Sequence, residues 1–500
     1  MKLKFSNIRL MGKSSFVNNS FWGLLSTVFQ TLFLSLFFII ISRYYAIPDF
    51  SDFLIANTIY QLIVGFSSMG LGHWFIREYG YKQEDQATLA YRFIKIQTLL
   101  GFLFYVINIA LAFIIYPSEQ IRVLAIILGT NIIFDNVIYA LKSLNVAQFQ
   151  QKKTAIIMAV DGLLRLAVGS ILFFHPLSLI YLSVLLVVVR LATVNVFIRI
   201  GSEGSITFSG LWNFKVTMID FKKNVLLNWN FILIVGSSII FWRSATIIIS
   251  KYLTAADVAN YEIAYKIFSI FTQLSIVASV TIYPKFVGFI AAKDDASVRK
   301  FYNIVSFGYA IFVVGTYGFI QSYAQTIIPF VFGHKFLLAA GCMKEMFLTL
   351  LMFPAVFLQA NLIVAMKKER LDMLLNFLVL VVNLTGCLIG LHYSRSLSVI
   401  NYSIFASFVV FHVAQNIVLI KLKISSVSNA FTFYVLVACF VLSYKYLAGN
   451  FNPNLIFIGF LIVVIIPLLY IFYKKIRSHF ARNANFGLPD GADVATLDHL

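Results

Sequence analysis

Asp135, Asp161, Arg165, Arg190, Arg243, Glu262 and Lys266 share one property: each interrupts a long apolar run of the chain. A charge at the centre of a membrane-crossing helix costs about 2.5–3.5 kcal/mol on insertion scales. Three arginines facing lipid would cost on the order of 8–10 kcal/mol together, comparable with the stability of a whole domain. They must therefore face protein or water. Arginine suits a phosphate group, because its planar fork donates two parallel bonds and its charge does not titrate. A carboxylate in the same setting can neutralise a cation or carry a coupling ion.

The spacing leaves two chemistries open. Asp161–Arg165 and Glu262–Lys266 both have i,i+4 spacing with the acid first, the favourable order for a pair on one helix face. Arg190 and Arg243 have no acid three or four residues away on their own stretch. Those two, with Arg165 and Lys266, are the candidate lining of a cationic cavity for an anionic guest. Asp135, Asp161 and Glu262 are the candidate ion-coupling groups, Asp135 first among them. Asn131, Asp135 and Tyr139 form one helical stripe, continued by Lys142, which would serve helix–helix hydrogen bonding equally well. His412, Gln415 and Asn416 read as a packed polar cluster rather than a proton relay. The three cysteines stand far apart, no residues have metal-ligand spacing, and "MGKSS" lacks the earlier glycine of a phosphate loop. No catalytic group, metal or cofactor is expected, and the coupling ion, H+ or Na+, is left open.

The elements that must position these charges are membrane helices. The 500 residues are 60% hydrophobic and only 12% charged, with a mean hydropathy of +0.88; soluble domains are roughly a quarter charged. Apolar runs of about 20 residues exclude a β-barrel, whose strands alternate. The pattern predicts an all-α polytopic protein of about fourteen transmembrane helices, the second of them at 53–73. The basic N-terminus "MKLKFSNIRLMGKSS" leads into a run too long for a signal sequence, so it reads as a retained first span.

Lysine and arginine concentrate in every second loop, the positive-inside pattern. With both termini cytoplasmic, the basic residues left outside are Arg43, Arg122, Lys251, Lys335, Arg395 and Lys445. This asymmetry accounts for most of the net charge of +19, so no nucleic acid partner is expected.

The chain also repeats itself. "IIISRYYAIPDFSDFLIA" (39–56) lies on "IIISKYLTAADVANYEIA" (247–264) without a gap, at an offset of 208 residues from Ala56 to Ala264. Ser42 falls on Ser250, Arg43 on Lys251, Tyr44 on Tyr252 and Asp49 on Asp257. The first helix thus corresponds to the seventh, which gives two six-helix lobes in parallel repeat, related by an axis along the membrane normal. The expected organisation is an N-terminal lobe at 1–198, a cytoplasmic inter-lobe loop at 199–224, a C-terminal lobe at 225–421, two additional helices at 422–473 and a cytoplasmic tail at 474–500.

Over roughly residues 15–425 the chain resembles bacterial polysaccharide flippases of the Wzx type, in the multidrug/oligosaccharidyl-lipid/polysaccharide exporter superfamily. The likeness is carried by "YYAIPDFSDFLIANTIYQLIVGFSSMGLGHWFIRE", by the stretch from "FWRSATIIISKYLTAADVANYEIAYKIFSIF" to "YPKF", and by "LIVAMKKERLDMLLNFLVLVVNLTGCLIG". The chain departs from the family's pattern at Met69 and near Arg243, where the family often has an acid. The resemblance implies a bacterial inner-membrane protein that exports a polyprenyl-pyrophosphate-linked oligosaccharide for O-antigen or capsule assembly. It works through a central cationic cavity, beside membrane lipids and a polysaccharide polymerase and chain-length regulator of the same pathway. Two alternatives stand beside it. One is a drug or cation antiporter on the same fold, which would need more interior acids. The other is a membrane-embedded polymerase or ligase, which would need a long external loop with catalytic groups.

Overall fold

The computed structural model describes residues 5–81, 85–202, 204, 206–217, 221–222 and 229–484, and all regular structure among them is helical. The N-terminal helices are α1 (Phe5–Tyr44), α2 (Ile47–Ser67), α3 (Leu71–Tyr81), α4 (Gln86–Ile115), α5 (Glu119–Gly129), α6 (Asn131–Ala147), α7 (Gln151–Ser170) and α8 (Leu179–Val196). A short α9 (Phe208–Asn213) lies in the inter-lobe stretch. Then follow α10 (Trp229–Tyr252), α11 (Ala255–Ala291), α12 (Asp295–Phe332), α13 (Leu338–Leu350), α14 (Phe353–Ala365), α15 (Glu369–Tyr393) and α16 (Leu397–Lys421). The chain closes with α17 (Val427–Asn450), α18 (Pro453–Phe460) and α19 (Ile466–Ala484). The expected tail from 474 begins inside α19, and its part beyond 484 lies outside the described residues.

Among the described residues, 12 helices or helix pairs are long and apolar enough to cross a membrane. The pair α5–α6 counts as one such span although Thr130 interrupts it, and so does α13–α14, broken ahead of Pro354. Two further helices, α2 with 21 residues and α10 with 24, fall where the second and seventh spans are expected. Neither is among the 12, so the count of fourteen stays part of the proposal below.

Local chemistry sets the helix ends. Pro48 sits in the first turn of α2, where its missing N–H is no loss. Asp85 accepts the Thr88 N–H at 2.9 Å to start α4, and that bond holds its carboxyl below the usual range. The end of α2 corrects the sequence reading. Met69 and Gly70 take φ of 49° and 64°, a left-handed turn no helix can continue through, so α2 stops at Ser67 and α3 begins at Leu71.

Close packing places the charged helices. α1 runs along α7, where a Cβ on Gly169 would stand 2.7 Å from the Phe37 ring. α4 meets α6 against its backbone, since a Cβ on Gly101 would lie 2.9 Å from the Ile133 Cα. Between α3 and α4, Phe75 stacks on Phe93 with centroids 4.4 Å apart, in a core that also holds Leu141 and Phe197.

The chain divides into two compact units. One comprises Met1–Gln273, Gln325–Met346 and Glu369–Phe411; the other comprises Leu274–Ala324, Phe347–Lys368 and His412–Leu500. This is a division by compactness, whereas the lobes expected at 1–198 and 225–421 are drawn from the repeat.

Candidate functional site

α7 carries Asp161 and Arg165 one turn apart, and Arg165 Nε donates to Asp161 Oδ2 at 3.1 Å. Arg190 on α8 reaches the same carboxylate, with Nη1 at 3.1 Å from Asp161 Oδ2. Its Nη2 lies 2.5 Å from Asp135 Oδ1 on α6. Thr193 Oγ1 donates to Asp161 Oδ1 at 2.7 Å, and Tyr60 Oη on α2 donates to Asp135 Oδ2. One continuous chain of bonds therefore joins α2, α6, α7 and α8 through two carboxylates and two guanidinium groups. Asp161 is 1% exposed and Arg190 8%. Arg190 has no acid on its own helix, but it is paired: both partners come from other helices. Lys142, further along α6, lies within electrostatic range of Arg190, Asp135 and Asp161.

The second set is built differently. Arg243 on α10 places its guanidinium 5.4 Å from the ring centre of Tyr265 on α11. Lys266, the next residue, holds its Nζ 5.7 Å from the Phe38 ring on α1. Glu262 accepts the Thr246 hydroxyl of α10. The i,i+4 spacing of Glu262 and Lys266 allows an ion pair as one of two readings, and no such pair forms: the acid turns to Thr246 and the lysine to Phe38. Among the described residues no ion pair forms at Arg243, Glu262 or Lys266. The two cations lie within electrostatic range of each other and of Glu262. Trp242 packs on Tyr265 and Phe408 beside them.

The polar stripe of α6 is used for packing, as one of its two readings had it. Tyr139 Oη accepts the Gly72 N–H at 2.9 Å, while Asn136, off the stripe, donates to Ser67 at 2.6 Å. In the second compact unit, His412 Nδ1 lies 2.8 Å from Tyr434 Oη, and Gln359 bridges Asn416 and Tyr302. This packed cluster borders a cavity of about 730 Å³ that Phe433 and Phe440 also line. The side-chain amide of Gln415, grouped with His412 in the sequence, makes no hydrogen bond among the described residues.

A family model described as "Polysaccharide biosynthesis protein" matches residues 40–340. The chain belongs to that family. No curated protein matches it. Solved structures do, at low identity. The structure titled "Lipid II flippase MurJ, inward closed conformation" aligns with a TM-score of 0.70 at 13% identity, over 93% of this chain and 99% of that one. An inward-facing multidrug resistance MATE family transporter of the MOP superfamily aligns with a TM-score of 0.66 at 13% identity, over 79% of this chain and 96% of that one. A MOP superfamily transporter from Pyrococcus furiosus, whose title reports a binding pocket of reverse polarity, aligns with a TM-score of 0.55 at 12% identity, over 82% and 96%. At these identities the likeness establishes the fold. With the family match, it bears out the resemblance drawn from the sequence.

Of the seven candidate residues, Asp135, Asp161, Arg165 and Arg190 come together, and Arg243, Glu262 and Lys266 come together. No hydrogen bond or ion pair among the described residues links the two sets. Tyr60, Thr193, Thr246, Tyr265 and Phe38 complete them. Nothing in the spacing singles these out, because each acts from a different helix or as a common apolar or hydroxyl residue.

Proposed function

We propose that the chain is a flippase, not an enzyme. It moves a polyprenyl-pyrophosphate-linked oligosaccharide from the inner to the outer leaflet of the bacterial inner membrane for O-antigen or capsule assembly. The proposal includes fourteen spans in two six-helix lobes with two added helices, both termini in the cytoplasm, and alternating access between the lobes. It works beside a polysaccharide polymerase and chain-length regulator. Membership of the polysaccharide biosynthesis family and the fold shared with flippase and exporter structures support it.

The observation that carries the reading is the imbalance at Arg243 and Lys266. Two like charges lie within electrostatic range of each other with aromatic rings as their described contacts, and the one acid in range, Glu262, is bonded to a hydroxyl instead of to either cation. Both cations are half-buried; a cation drawn out of water is costly unless an anion meets it, and a pyrophosphate brings such charge into the bilayer only while it is being carried. Arg243 supplies a bidentate fork and Lys266 a point charge. Arg165 and Arg190 are the secondary candidates, since a phosphate there would first have to displace Asp135 or Asp161. Among the coupling candidates the same reasoning favours Glu262. Asp135 and Asp161 are already neutralised by arginine, whereas Glu262 is bonded to a hydroxyl.

The test is translocation in vesicles loaded with the lipid-linked oligosaccharide that accumulates in cells lacking the protein. Arg243→Glu and Lys266→Glu should each abolish movement to the far leaflet while the protein still inserts. Arg243→Lys should retain part of it, because charge survives and the fork does not. Wild-type rates in both charge reversals would end the reading.

A further inference from the structure

The repeated segments carry, near their starts, residues that do the same job twice. Ser42 donates to the carbonyl of Ile39 at 2.8 Å, and its repeat mate Ser250 donates to Ile247 at 2.8 Å. The next residue in each copy is basic. Arg43, at the end of α1, donates through Nε to Val331 O at 2.7 Å and through Nη2 to Phe330 O, the last carbonyls of α12. Lys251, at the end of α10, donates to Ile115 O, the last carbonyl of α4, and lies 4.4 Å over the Tyr116 ring. Tyr116 Oη in turn lies 2.6 Å from Ser250 Oγ. In the repeat, α4 and α12 correspond as the third spans of their lobes. Each lobe's first helix thus grips the end of the other lobe's third.

The chemistry suits a reversible grip. A helix C-terminus presents unsatisfied carbonyls and about half a negative charge, which a lysine or arginine can meet. Arg43 and Lys251 are both exposed, so water can replace each bond when it breaks. Arg190, by contrast, is buried between its partners. Basic residues are scarce on this face, and two more of the six expected there are used in the same way. Lys335 donates to Arg43 O at 3.1 Å and Tyr45 O at 2.6 Å, and Arg122 donates to Tyr116 O at 2.7 Å. The compact unit that holds Met1–Gln273 also takes in Gln325–Met346, the segment that receives Arg43.

We propose that Arg43 and Lys251 are matched clasps that hold the two lobes together at the face where α1 ends, and that both must release for that face to open. The proposal takes from the functional reading only that the lobes move. Its test therefore uses no substrate.

Full-length protein lacking Cys342, Cys387 and Cys439 is spin-labelled in lipid nanodiscs at exposed pairs, Ala46 with Leu338 across one clasp and Glu119 with Ala255 across the other. Double electron–electron resonance then reads the distances. Arg43→Gln and Lys251→Gln should each raise the open-to-closed ratio by about fivefold, and the double variant by about 25-fold if the clasps act independently. Arg43→Lys and Lys251→Arg keep a donor and a charge, so they should keep the parental distances and serve as the folding control. Parental distances in the double Gln variant would overturn the proposal, as would opening in the conservative variants equal to that in the Gln variants. Failure of the pyrophosphate reading would show instead as normal translocation by Arg243→Glu, with no bearing on these distances.

Discussion

The charges that interrupt the apolar runs form two sets built on opposite plans. Around Arg190, two guanidinium groups face two carboxylates, and a tyrosine and a threonine take further carboxylate lone pairs. Around Arg243 and Lys266, two cations stand beside aromatic rings, and the nearby acid is turned to a hydroxyl. In the first set the bonded members, two guanidinium groups and two carboxylates, balance and tie four helices, with Lys142 in range beyond them. In the second no cation is bonded to an acid. Removing a member should therefore damage the fold in the first case and the activity in the second.

The sharpest way to break this contrast is to cut the first set. Arg190→Gln leaves half-buried Asp135 and part of buried Asp161 without their cation, and loss of one partner of a buried pair costs about 3–5 kcal/mol. Unfolding in detergent micelles should show a loss of that order, against about 1 kcal/mol for Arg243→Gln, whose described contact is a cation–π approach. Exchanging the pair, Asp161→Arg with Arg165→Asp, should not rescue stability. It would set a second guanidinium against Arg190, which sits 3.1 Å from the present carboxylate. Equal losses in Arg190→Gln and Arg243→Gln would erase the distinction.

How far these plans could be read from the sequence depends on where the partners sit. The Asp161–Arg165 bond was legible because one helix turn brings the two groups together. The same spacing at Glu262 and Lys266 left pairing open, since spacing says which side chains share a face, not which partner each prefers. Thr246 and Phe38 belong to other helices and compete successfully. Arg190's acids were invisible for the same reason, because they lie on α6 and α7 and only tertiary packing delivers them. The membrane class and the family resemblance were legible because composition and motif order do not depend on packing. The end of α2 was not: hydropathy runs on past Ser67, and the left-handed turn at Met69 leaves no trace in it.

A smaller effect sharpens the first plan. Tyr60 ties α2 to Asp135 through one hydroxyl, and a hydrogen bond to a charged group is worth about 1.5–3 kcal/mol. Tyr60→Phe keeps the ring and removes that bond alone, while Arg190 continues to hold the carboxylate. Its stability loss, measured in the same micelles, should fall below that of Arg190→Gln and above that of Arg243→Gln. A loss as large as Arg190→Gln would mean that the tyrosine, not the arginine, is the keystone of the set.

The smallest change tests the second plan from the acid's side. Glu262→Gln keeps the side chain's size, and its amide oxygen can still accept the Thr246 hydroxyl. No cation loses a bonded partner, so stability should change by no more than about 1 kcal/mol. Asp135→Asn, chemically the same substitution, takes the charge away from Arg190 and should cost several times as much. Transport should rank the two the other way. If Glu262 carries the coupling ion, Glu262→Gln moves the lipid-linked oligosaccharide without responding to an imposed H+ or Na+ gradient. A Glu262→Gln protein as unstable as Asp135→Asn, yet still gradient-driven, would show that both acids are braces and that the two sets share one plan.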